Sequence, residues 1–172
     1  MSGTSLDGLD IALCSIEGNG GKTKILLQNY TTLPYEEDFK KEVRKIFSIR
    51  NGDIELLTVM HSFIGKYHGQ LVNNCLKQWG ISSDEIDLIA SHGQTIYHAP
   101  QHIHKREQYG HATLQIGDGD HLAMETGIIT ISDFRLKHIA AGGEGAPLAV
   151  YGDYILFGDK DENRILLNIG GI

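Results

Sequence analysis

Two apolar runs separated by a glycine-rich turn limit most strongly what this chain can fold into. Asp10–Glu17 and Lys24–Tyr30 have the composition of β-strands, and Gly18-Asn19-Gly20-Gly21 between them is typical of a β-hairpin turn. Because the strands of a hairpin are antiparallel, we expect a sheet that is at least partly antiparallel. The sequence also lacks the G-x-G-x-x-G fingerprint of a parallel dinucleotide-binding fold.

Helices and further strands follow the hairpin. Apolar residues recur at three- and four-residue steps over Tyr35–Ile49 and over about Asp53–Trp79, which predicts two amphipathic helices. Shorter runs predict strands over Ile86–Ala90, Thr113–Ile116, Ile128–Ser132 and Ile165–Ile172, and helices over Asp120–Thr126 and Leu148–Phe157. Strands first, and then strands that alternate with helices, predict an α/β domain with a mixed sheet.

Charge and composition argue against several classes of partner. The 172 residues carry a net charge of −7, and the basic cluster Lys40–Lys45 alternates with acidic residues at helical spacing. This is not the basic stripe of a nucleic-acid-binding protein. No apolar run approaches the roughly 20 residues of a membrane span, and no secretory signal is visible. Cys14 and Cys75 have no CxxC spacing, so we expect buried free thiols in a cytoplasmic protein.

The first ten residues, Met1–Asp10, combine glycine, serine and threonine with two aspartates. Glycine lets backbone N–H groups approach an anion closely, and the hydroxyl groups add donors. The carboxylate of Asp7 would repel phosphate unless a cation such as Mg²⁺ lay between them. The segment is therefore compatible with a metal–nucleotide site, while the simpler interpretation is a tight β-hairpin turn.

Three more polar segments, Ser91–Thr95, Asp133–Arg135 and Ala141–Pro147, follow apolar runs, where ligands bind in open α/β sheets. In the first of them, the side chains of His92 and Gln94 could donate hydrogen bonds into a cleft. His92 could also be a loop histidine that is satisfied by its neighbours.

The other two segments leave alternatives open as well. Asp133 and Arg135 are two residues apart, so in an extended segment both side chains point to the same side. Such a pair could clamp a sugar hydroxyl or a carboxylate, or it could form an internal salt bridge. The glycines at 142, 143 and 145 permit a ligand to approach, or they connect to a helix that begins near Pro147.

Four histidines cluster in the sequence at 98, 102, 104 and 111. Their spacing matches neither the H-E-x-x-H pattern nor a Cys/His zinc pattern, so we expect surface histidines. A nucleophile motif for acyl transfer is not visible either.

Six stretches, in order along the whole chain, resemble the anhydro-N-acetylmuramic acid kinase family. They are Met1–Asp10, Ser91–Thr95 with His98, Thr113–Asp118, Ser132–Arg135, Ala140–Leu148 and Leu167–Ile172. The resemblance implies the actin/sugar-kinase/Hsp70 superfamily, in which two ribonuclease-H-like domains bind ATP in the cleft between them. It implies that residues 1–167 form the first ribonuclease-H-like domain, with a mixed sheet and flanking helices, and that residues 168–172 begin a second domain.

Members of this family use ATP and Mg²⁺ to open the 1,6-anhydro ring of a cell-wall amino sugar and to phosphorylate its O6. The resemblance implies that the ATP and phosphate site comprises Ser2, Gly3, Thr4, Ser5, Leu6, Asp7, Gly8, Leu9, Asp10, Asn168, Gly170 and Gly171. It implies that the sugar site comprises His92, Gln94, Thr95, Asp133, Arg135 and Gly143. Asp7 or Asp10 would lie near Mg²⁺.

The chain departs from the family pattern at both ends and at His138, a position that is often acidic in relatives. Family members have a strand before the opening motif. Their catalytic aspartate lies in a Phe-Asp-x-Gly-Pro-Gly-Asn segment beyond Asn-Ile-Gly-Gly, which these 172 residues lack. We therefore expect no catalytic base here, no turnover by this chain alone, and self-association through the surface that a second domain would cover. The alternative is a non-catalytic sugar- or phosphate-binding module.

Overall fold

The computed structural model describes residues 1–146 and 148–167. Within them, strands and helices alternate in a mixed α/β architecture, as the sequence predicts. The strands are β1 (Gly8–Glu17), β2 (Lys24–Pro34), β3 (Ile89–Ala90), β4 (Gln94–Ala99), β5 (Ala112–Ile116) and β6 (Thr130–Ile131). The helices are α1 (Glu37–Arg44), α2 (Ile54–Trp79), α3 (Gln101–His104), α4 (Gly119–Thr126), α5 (Phe134–Ala140) and α6 (Val150–Phe157).

The predicted hairpin is present and longer than expected. β1 and β2 pair antiparallel from Gly8 opposite Pro34 to Glu17 opposite Lys24, with a register shift between Leu13 and Cys14. The second strand continues past Tyr30 because its last residues pair with the start of β1. The hairpin is therefore a continuous ribbon that begins directly after the opening loop.

The first two residues connect the hairpin to a second ladder. The backbone N–H of Asp10 donates to the carbonyl oxygen of Met1 at 2.9 Å, and the terminal amino group of Met1 donates back to Asp10 O at 2.6 Å. Ser2 forms a parallel bridge with Gln94, the first residue of β4. Met1 and Ser2 therefore lie between β1 and β4, which itself pairs antiparallel with β5.

A third ladder is parallel. β3 pairs with β6 through Ile89 opposite Thr130 and Ala90 opposite Ile131. The two predicted strands over Ile86–Ala90 and Ile128–Ser132 are thus present but reduced to two residues each. The described residues thus form three two-stranded sheets, two antiparallel and one parallel, rather than the single mixed sheet that the sequence predicts.

The long helix α2 is bounded by local signals. The carboxylate of Asp53 accepts a hydrogen bond from the N–H of Leu56 at 3.0 Å, and Gly80 ends the helix in the left-handed conformation, with φ of 69°. Its glycines allow α4 to approach. A Cβ atom added to Gly65 would lie 2.3 Å from the carbonyl oxygen of Asp118. The close contact places the residue before α4 directly against α2.

The hydrophobic core lies between the opening segment, α1, α2 and the second ladder. Its buried members are Leu6, Leu9, Tyr35, Phe39, Val43, Ile46, Met60, Ile64, Ile96 and Ile116. Removal of these apolar side chains from water is the main contribution to stability. Leu6 and Leu9 of the opening segment thus belong to the core, and their burial holds the backbone of this segment in place.

Several predicted elements differ from the structure. The helix expected over Tyr35–Ile49 is limited to α1, and Ser48 adopts a left-handed conformation with φ of 58°. The strand expected over Ile165–Ile172 is wrong for Ile165–Leu167, which are exposed and unpaired with any strand of the described residues; Asn168–Ile172 lie outside them. Cys14 is half-buried rather than buried, whereas Cys75 is buried as expected.

Among the described residues, no helix is both long enough and apolar enough to cross a membrane.

Candidate functional site

The opening loop is a turn between two paired segments. Gly3 to Asp7 connect Ser2, which pairs with β4, to β1. Thr4, Ser5 and Asp7 are exposed, and the Ser5 hydroxyl donates to the Asp7 carboxylate. This hydrogen bond is the main reason that the pKa of Asp7 is lowered. The opening loop is thus a turn closed by the Met1–Asp10 backbone pair, and its tip presents hydroxyl groups beside an ionised carboxylate. Its role in a metal–nucleotide site stays a prediction.

The loop has a buried support that includes Gln94. The Ser2 hydroxyl donates to Gln94 Oε1, and Gln94 Nε2 donates to the carbonyl oxygens of Gly3 and Thr95, each at 3.0 Å. Both Ser2 and Gln94 are fully buried. The amide of Gln94 is thus used inside the protein, and in this structure it reaches no cleft. Its contact with a sugar stays a prediction.

His92 and Arg135 contact each other although they are 43 positions apart. Arg135 Nε donates to His92 Nε2 at 2.8 Å, and Arg135 Nη1 donates to the carbonyl oxygen of Gly145 at 2.6 Å. The other ring nitrogen of His92 lies 3.0 Å from Gly93 O. Burial is the main cause that lowers the pKa of His92, so the ring is the neutral acceptor for Arg135. All three of the polar segments Ser91–Thr95, Asp133–Arg135 and Ala141–Pro147 therefore meet here.

The expected geometry of Asp133 and Arg135 is wrong. The segment is not extended, because Asp133 has φ of 61° and Arg135 lies in the first turn of α5. The two side chains turn to different partners: Asp133 accepts from the Ser132 hydroxyl at 3.1 Å, and Arg135 contacts His92. No salt bridge forms between Asp133 and Arg135 in the described residues, and their joint contact with a ligand stays a prediction.

Gly143 lies against the imidazole ring of His138. A Cβ atom at Gly143 would lie 2.1 Å from His138 Nε2. His138 Nδ1 accepts a hydrogen bond from the N–H of Gly145 at 3.0 Å. The imidazole therefore fixes the glycine segment that accepts from Arg135, and Gly143 leaves the space for the ring.

Asp133 lines a polar cavity of about 220 Å³. Thr113, Gln115 and Asp118 contribute to its wall, and Gln115 Nε2 lies 2.8 Å from the Thr113 hydroxyl and 3.5 Å from that of Thr95. The cavity thus brings together the Thr113–Asp118 and Ser132–Arg135 stretches. Its hydroxyl, amide and carboxylate groups are suited to a ligand that is rich in hydroxyl groups.

Asp118 and His61 are cavity residues that the sequence analysis did not name as site residues. Asp118 accepts from the backbone N–H of His121 at 3.2 Å and from its ring, and that ring contact is the main cause of its lowered pKa. His61 Nδ1 accepts from the N–H of Gly117 at 3.1 Å. Asp118 stands in a stretch that the sequence analysis singled out, whereas His61 is one polar residue in a helical period and carries no such signal.

Asp7 and Asp10 differ in their availability to a metal ion. Asp10 Oδ1 accepts from the hydroxyl groups of Thr32 at 2.6 Å and Tyr30 at 3.0 Å, so this oxygen is already hydrogen-bonded to side chains of β2. Asp7 is exposed at the loop tip and has only the Ser5 hydroxyl as a side-chain partner among the described residues. A search of those residues finds no group of three or more metal-ligating side chains. Mg²⁺ nevertheless needs only one or two carboxylates when phosphate and water complete its shell, so Asp7 fits that requirement better than Asp10.

Three residues of the expected phosphate site, Asn168, Gly170 and Gly171, lie outside the described residues. The histidines expected at the surface are exposed at 98 and 102 and half-buried at 104 and 111. His104 and His111 accept hydrogen bonds from the backbone N–H groups of Arg106 and Gln101.

Comparison with known proteins gives one consistent result. The family model described as anhydro-N-acetylmuramic acid kinase matches residues 1–172. Proteins with this name align with the whole chain at 59% identity in Pseudoalteromonas atlantica, 56% in Pseudoalteromonas translucida and 42% in Caldanaerobacter subterraneus. The aligned part is 43% of each of these relatives, so the chain spans less than half of their length.

Proposed function

Because this chain belongs to the anhydro-N-acetylmuramic acid kinase family, we propose that it is the N-terminal part of an ATP-dependent sugar kinase. The reaction would open the 1,6-anhydro ring of anhydro-N-acetylmuramic acid and transfer the γ-phosphoryl group of ATP to O6. That chemistry belongs to the turnover of cell-wall amino sugars, and a cytoplasmic location remains our prediction. The observation that carries the proposal is the opening loop, whose exposed tip offers hydroxyl donors and Asp7 while its base is held by Gln94.

We propose further that residues 1–167 form a ribonuclease-H-like first domain and that residues 168–172 begin the second. An antiparallel hairpin followed by a parallel strand pair supports this assignment. In such an enzyme, phosphoryl transfer depends on positioning and electrostatic stabilisation between both walls of a cleft. One wall alone would not enclose the reactants.

The phosphate groups of ATP would contact the loop of Ser2 to Asp10, together with Asn168, Gly170 and Gly171. Of these residues, Thr4 and Ser5 carry exposed hydroxyl groups, whereas Ser2, Leu6 and Leu9 are buried and would act through the backbone. Asp7 would hold Mg²⁺, which neutralises charge on the phosphate oxygens when it is bound. Asp10 is the weaker candidate because Thr32 and Tyr30 occupy its carboxylate.

The sugar would lie along the polar cavity and the His92–Arg135 pair. Asp133 and Thr95 are placed at or beside the cavity, and Arg135 has N–H groups beyond the two that it uses for His92 and Gly145 O. Gly143 would act indirectly, through the space that it leaves for His138. The hydroxyl, amide and carboxylate groups of the cavity, together with the guanidinium group of Arg135, support recognition of a hydroxylated, carboxylate-bearing sugar.

Titration of the isotope-labelled chain with Mg-ATP, followed by NMR, tests the phosphate loop. We expect the amide signals of Gly3 to Gly8 to shift at millimolar Mg-ATP, because half a site binds weakly. Asp7→Asn should weaken the apparent affinity about tenfold through loss of the metal ligand. Asp87→Asn, at an exposed aspartate outside the loop, is the matched control and should leave the affinity unchanged. Loop signals that do not move at millimolar Mg-ATP would contradict the proposal.

A coupled assay for ADP release with the anhydrosugar tests the requirement for the second domain. We expect no turnover from the 172 residues alone, and clear turnover would show that the remaining part of the relatives is dispensable. Calorimetry with the anhydrosugar separates the alternative function. Micromolar sugar binding without turnover would favour a non-catalytic binding module.

A further inference from the structure

Four polar side chains form a continuous hydrogen-bonded chain inside the core. The Tyr35 hydroxyl lies 2.9 Å from His68 Nε2 and donates to Ser2 Oγ at 2.8 Å, and Ser2 donates to Gln94 Oε1. All four side chains are at most 3% exposed. Burial of so many polar groups is costly unless each finds a partner, so their mutual pairing is a constraint on the fold.

The hydrogen bonds of this chain run in one direction. Ser2 gives its hydroxyl proton to Gln94, which accepts through Oε1, so Tyr35 must supply the proton between Tyr35 and Ser2. Tyr35 has one hydroxyl proton, and therefore His68 must donate through Nε2. Burial lowers the pKa of His68 to about 3, so its ring is neutral, with the proton on Nε2 and Nδ1 unprotonated.

The chain ends on the backbone of the opening loop. Gln94 Nε2 donates to Gly3 O at 3.0 Å, which fixes the N-terminal side of the loop. The backbone N–H of Tyr35 donates to Asp7 O at 3.1 Å, which fixes the C-terminal side. Tyr35 thus holds the loop at both sides, through its hydroxyl group and through its own backbone.

We propose that Tyr35 and His68 are positioning residues for the opening loop, acting through Ser2 and Gln94 to hold the conformation in which the loop tip meets phosphate. The claim that this conformation meets phosphate (the functional part) rests on the proposed function, because it requires that the loop bind phosphate. The claim that Tyr35 and His68 hold the loop backbone (the geometric part) does not depend on the proposed function. Gln94 is then a support of the loop backbone, which accounts for the burial of its amide.

Amide hydrogen exchange of the loop tests the geometric part. Tyr35→Phe removes the hydroxyl group that links His68 to Ser2. We expect exchange to accelerate about tenfold at the two amides that close the loop, those of Asp10 (bonded to Met1 O) and of position 35 (bonded to Asp7 O). Tyr67→Phe is the matched control, because Tyr67 stacks in the same aromatic cluster, 6.2 Å from Tyr35, but takes no part in the chain. Equal loop exchange in Tyr35→Phe and the unsubstituted protein would overturn the proposal.

Rescue at His68 separates a hydrogen-bond role from simple packing. His68→Gln keeps an N–H donor near the position of Nε2, whereas His68→Leu removes it. We expect slow loop exchange in the first variant and fast exchange in the second. Fast exchange in both, or slow exchange in both, would overturn the directional chain.

The unsubstituted protein provides a test that does not depend on the folding of any variant. Nitrogen chemical shifts should report His68 as the neutral Nε2–H tautomer from about pH 8 down to about pH 5. A protonated ring in this range, or the Nδ1–H tautomer, would contradict the order of donors.

Mg-ATP distinguishes failure of this inference from failure of the proposed function. If Tyr35→Phe loosens the loop and weakens the Mg-ATP affinity about tenfold, while Tyr67→Phe does neither, both stand. If the loop loosens but the unsubstituted protein does not respond to Mg-ATP, the phosphate assignment fails and the geometric role is supported. If Mg-ATP shifts the loop signals equally in all three proteins, the positioning role is overturned and the phosphate assignment stands.

Discussion

The side chains of Ser2, Gln94 and His68 are buried. Thr4 and Ser5, which follow Ser2 in the opening loop, are exposed. The difference follows from partners rather than from residue type, since serine occurs in both groups. The enclosed side chains pair with one another, whereas exposed Ser5 donates to Asp7 at the loop tip and the Thr4 hydroxyl has no hydrogen-bond partner among the described residues. For single residues, the sequence identifies the opening loop as the segment of interest, but only the three-dimensional contacts show which of its side chains are available to a ligand.

A buried neutral histidine should make stability depend on pH. Burial lowers the pKa of His68 to about 3, while an unfolded histidine titrates near 6.5. Between these values the unfolded chain takes up a proton that the native protein does not, so the free energy of unfolding falls as the pH decreases below about 6.5. We expect His68 to remove about 2 kcal/mol between about pH 7.5 and pH 5. His92, whose pKa is also lowered mainly by burial, adds to the loss.

Urea unfolding across this pH range measures the effect. His68→Gln keeps a donor for Tyr35 but does not titrate. Between the same two pH values, the free energy of unfolding of this variant should fall less than that of the unsubstituted protein, and the difference is the contribution of His68. The carboxylates Asp7 and Asp118 have lowered pKa values and lose their contribution only at more acidic pH, outside this window. Unchanged stability of the unsubstituted protein down to about pH 5 would contradict the prediction.

Among the elements, those with local signals match the sequence analysis best. α2 is predicted nearly to the residue because its apolar period, the Asp53 cap and Gly80 all lie within or beside it. β4 was missed because Gln94–Ala99 has no distinctive pattern and becomes a strand only through pairing with β5 and Ser2. α5 was missed for a related reason, since the left-handed Asp133 starts a helix where the sequence suggests extension.

The same distinction applies to the candidate site. The six resemblance stretches contain the loop, both residues of the His92–Arg135 pair and most of the residues that line the cavity, but not the contacts that bring them together. They do not reveal that Tyr35 supports the loop, because that residue lies in none of them and acts through contacts 33 positions away in sequence. The cavity likewise arises from the packing of α2 against the start of α4, which the sequence leaves undetermined.

The packing of α2 against α4 supplies a test at this scale. Gly65→Ala would place a Cβ atom 2.3 Å from the backbone carbonyl oxygen of Asp118, so the two helices must separate. We expect a loss of about 1–3 kcal/mol in the free energy of unfolding, measured by urea titration. Gly152→Ala in α6 is the matched control, because a Cβ atom added there would meet no other atom of the described residues within 4 Å.

The expected result for Gly152→Ala is a gain of up to about 1 kcal/mol, because alanine favours a helix by roughly that amount over glycine and the new Cβ clashes with none of the described residues. Gly65→Ala should in addition change the NMR signals of the cavity residues Gln115 and Asp118, since Asp118 moves with the helix contact. Equal stability of the two variants would contradict a tight backbone approach at Gly65.

At the scale of the whole molecule, α6 and the residues after it expose an apolar surface. Tyr151, Tyr154, Leu156 and Phe157 of α6 are all exposed, as are Ile165 to Leu167 beyond it. A helix that is apolar on most sides is usually buried against another element. In a longer relative, residues past the aligned 43% would be available to cover this surface. We propose that the 172-residue chain alone covers it with a second copy.

Light scattering over a range of concentrations measures this self-association. We expect the average mass to rise with concentration, because contact between two such surfaces removes apolar area from water. Tyr154→Glu together with Leu156→Lys places charges on α6 and should return the chain to a monomer. The matched control carries the same charges on the other exposed apolar surface, as Leu26→Glu and Leu27→Lys on the β1–β2 hairpin. If association persists in the α6 variant and disappears in the hairpin variant, the contact is assigned to the hairpin. A clean monomer of the unsubstituted chain at high concentration would refute self-association altogether.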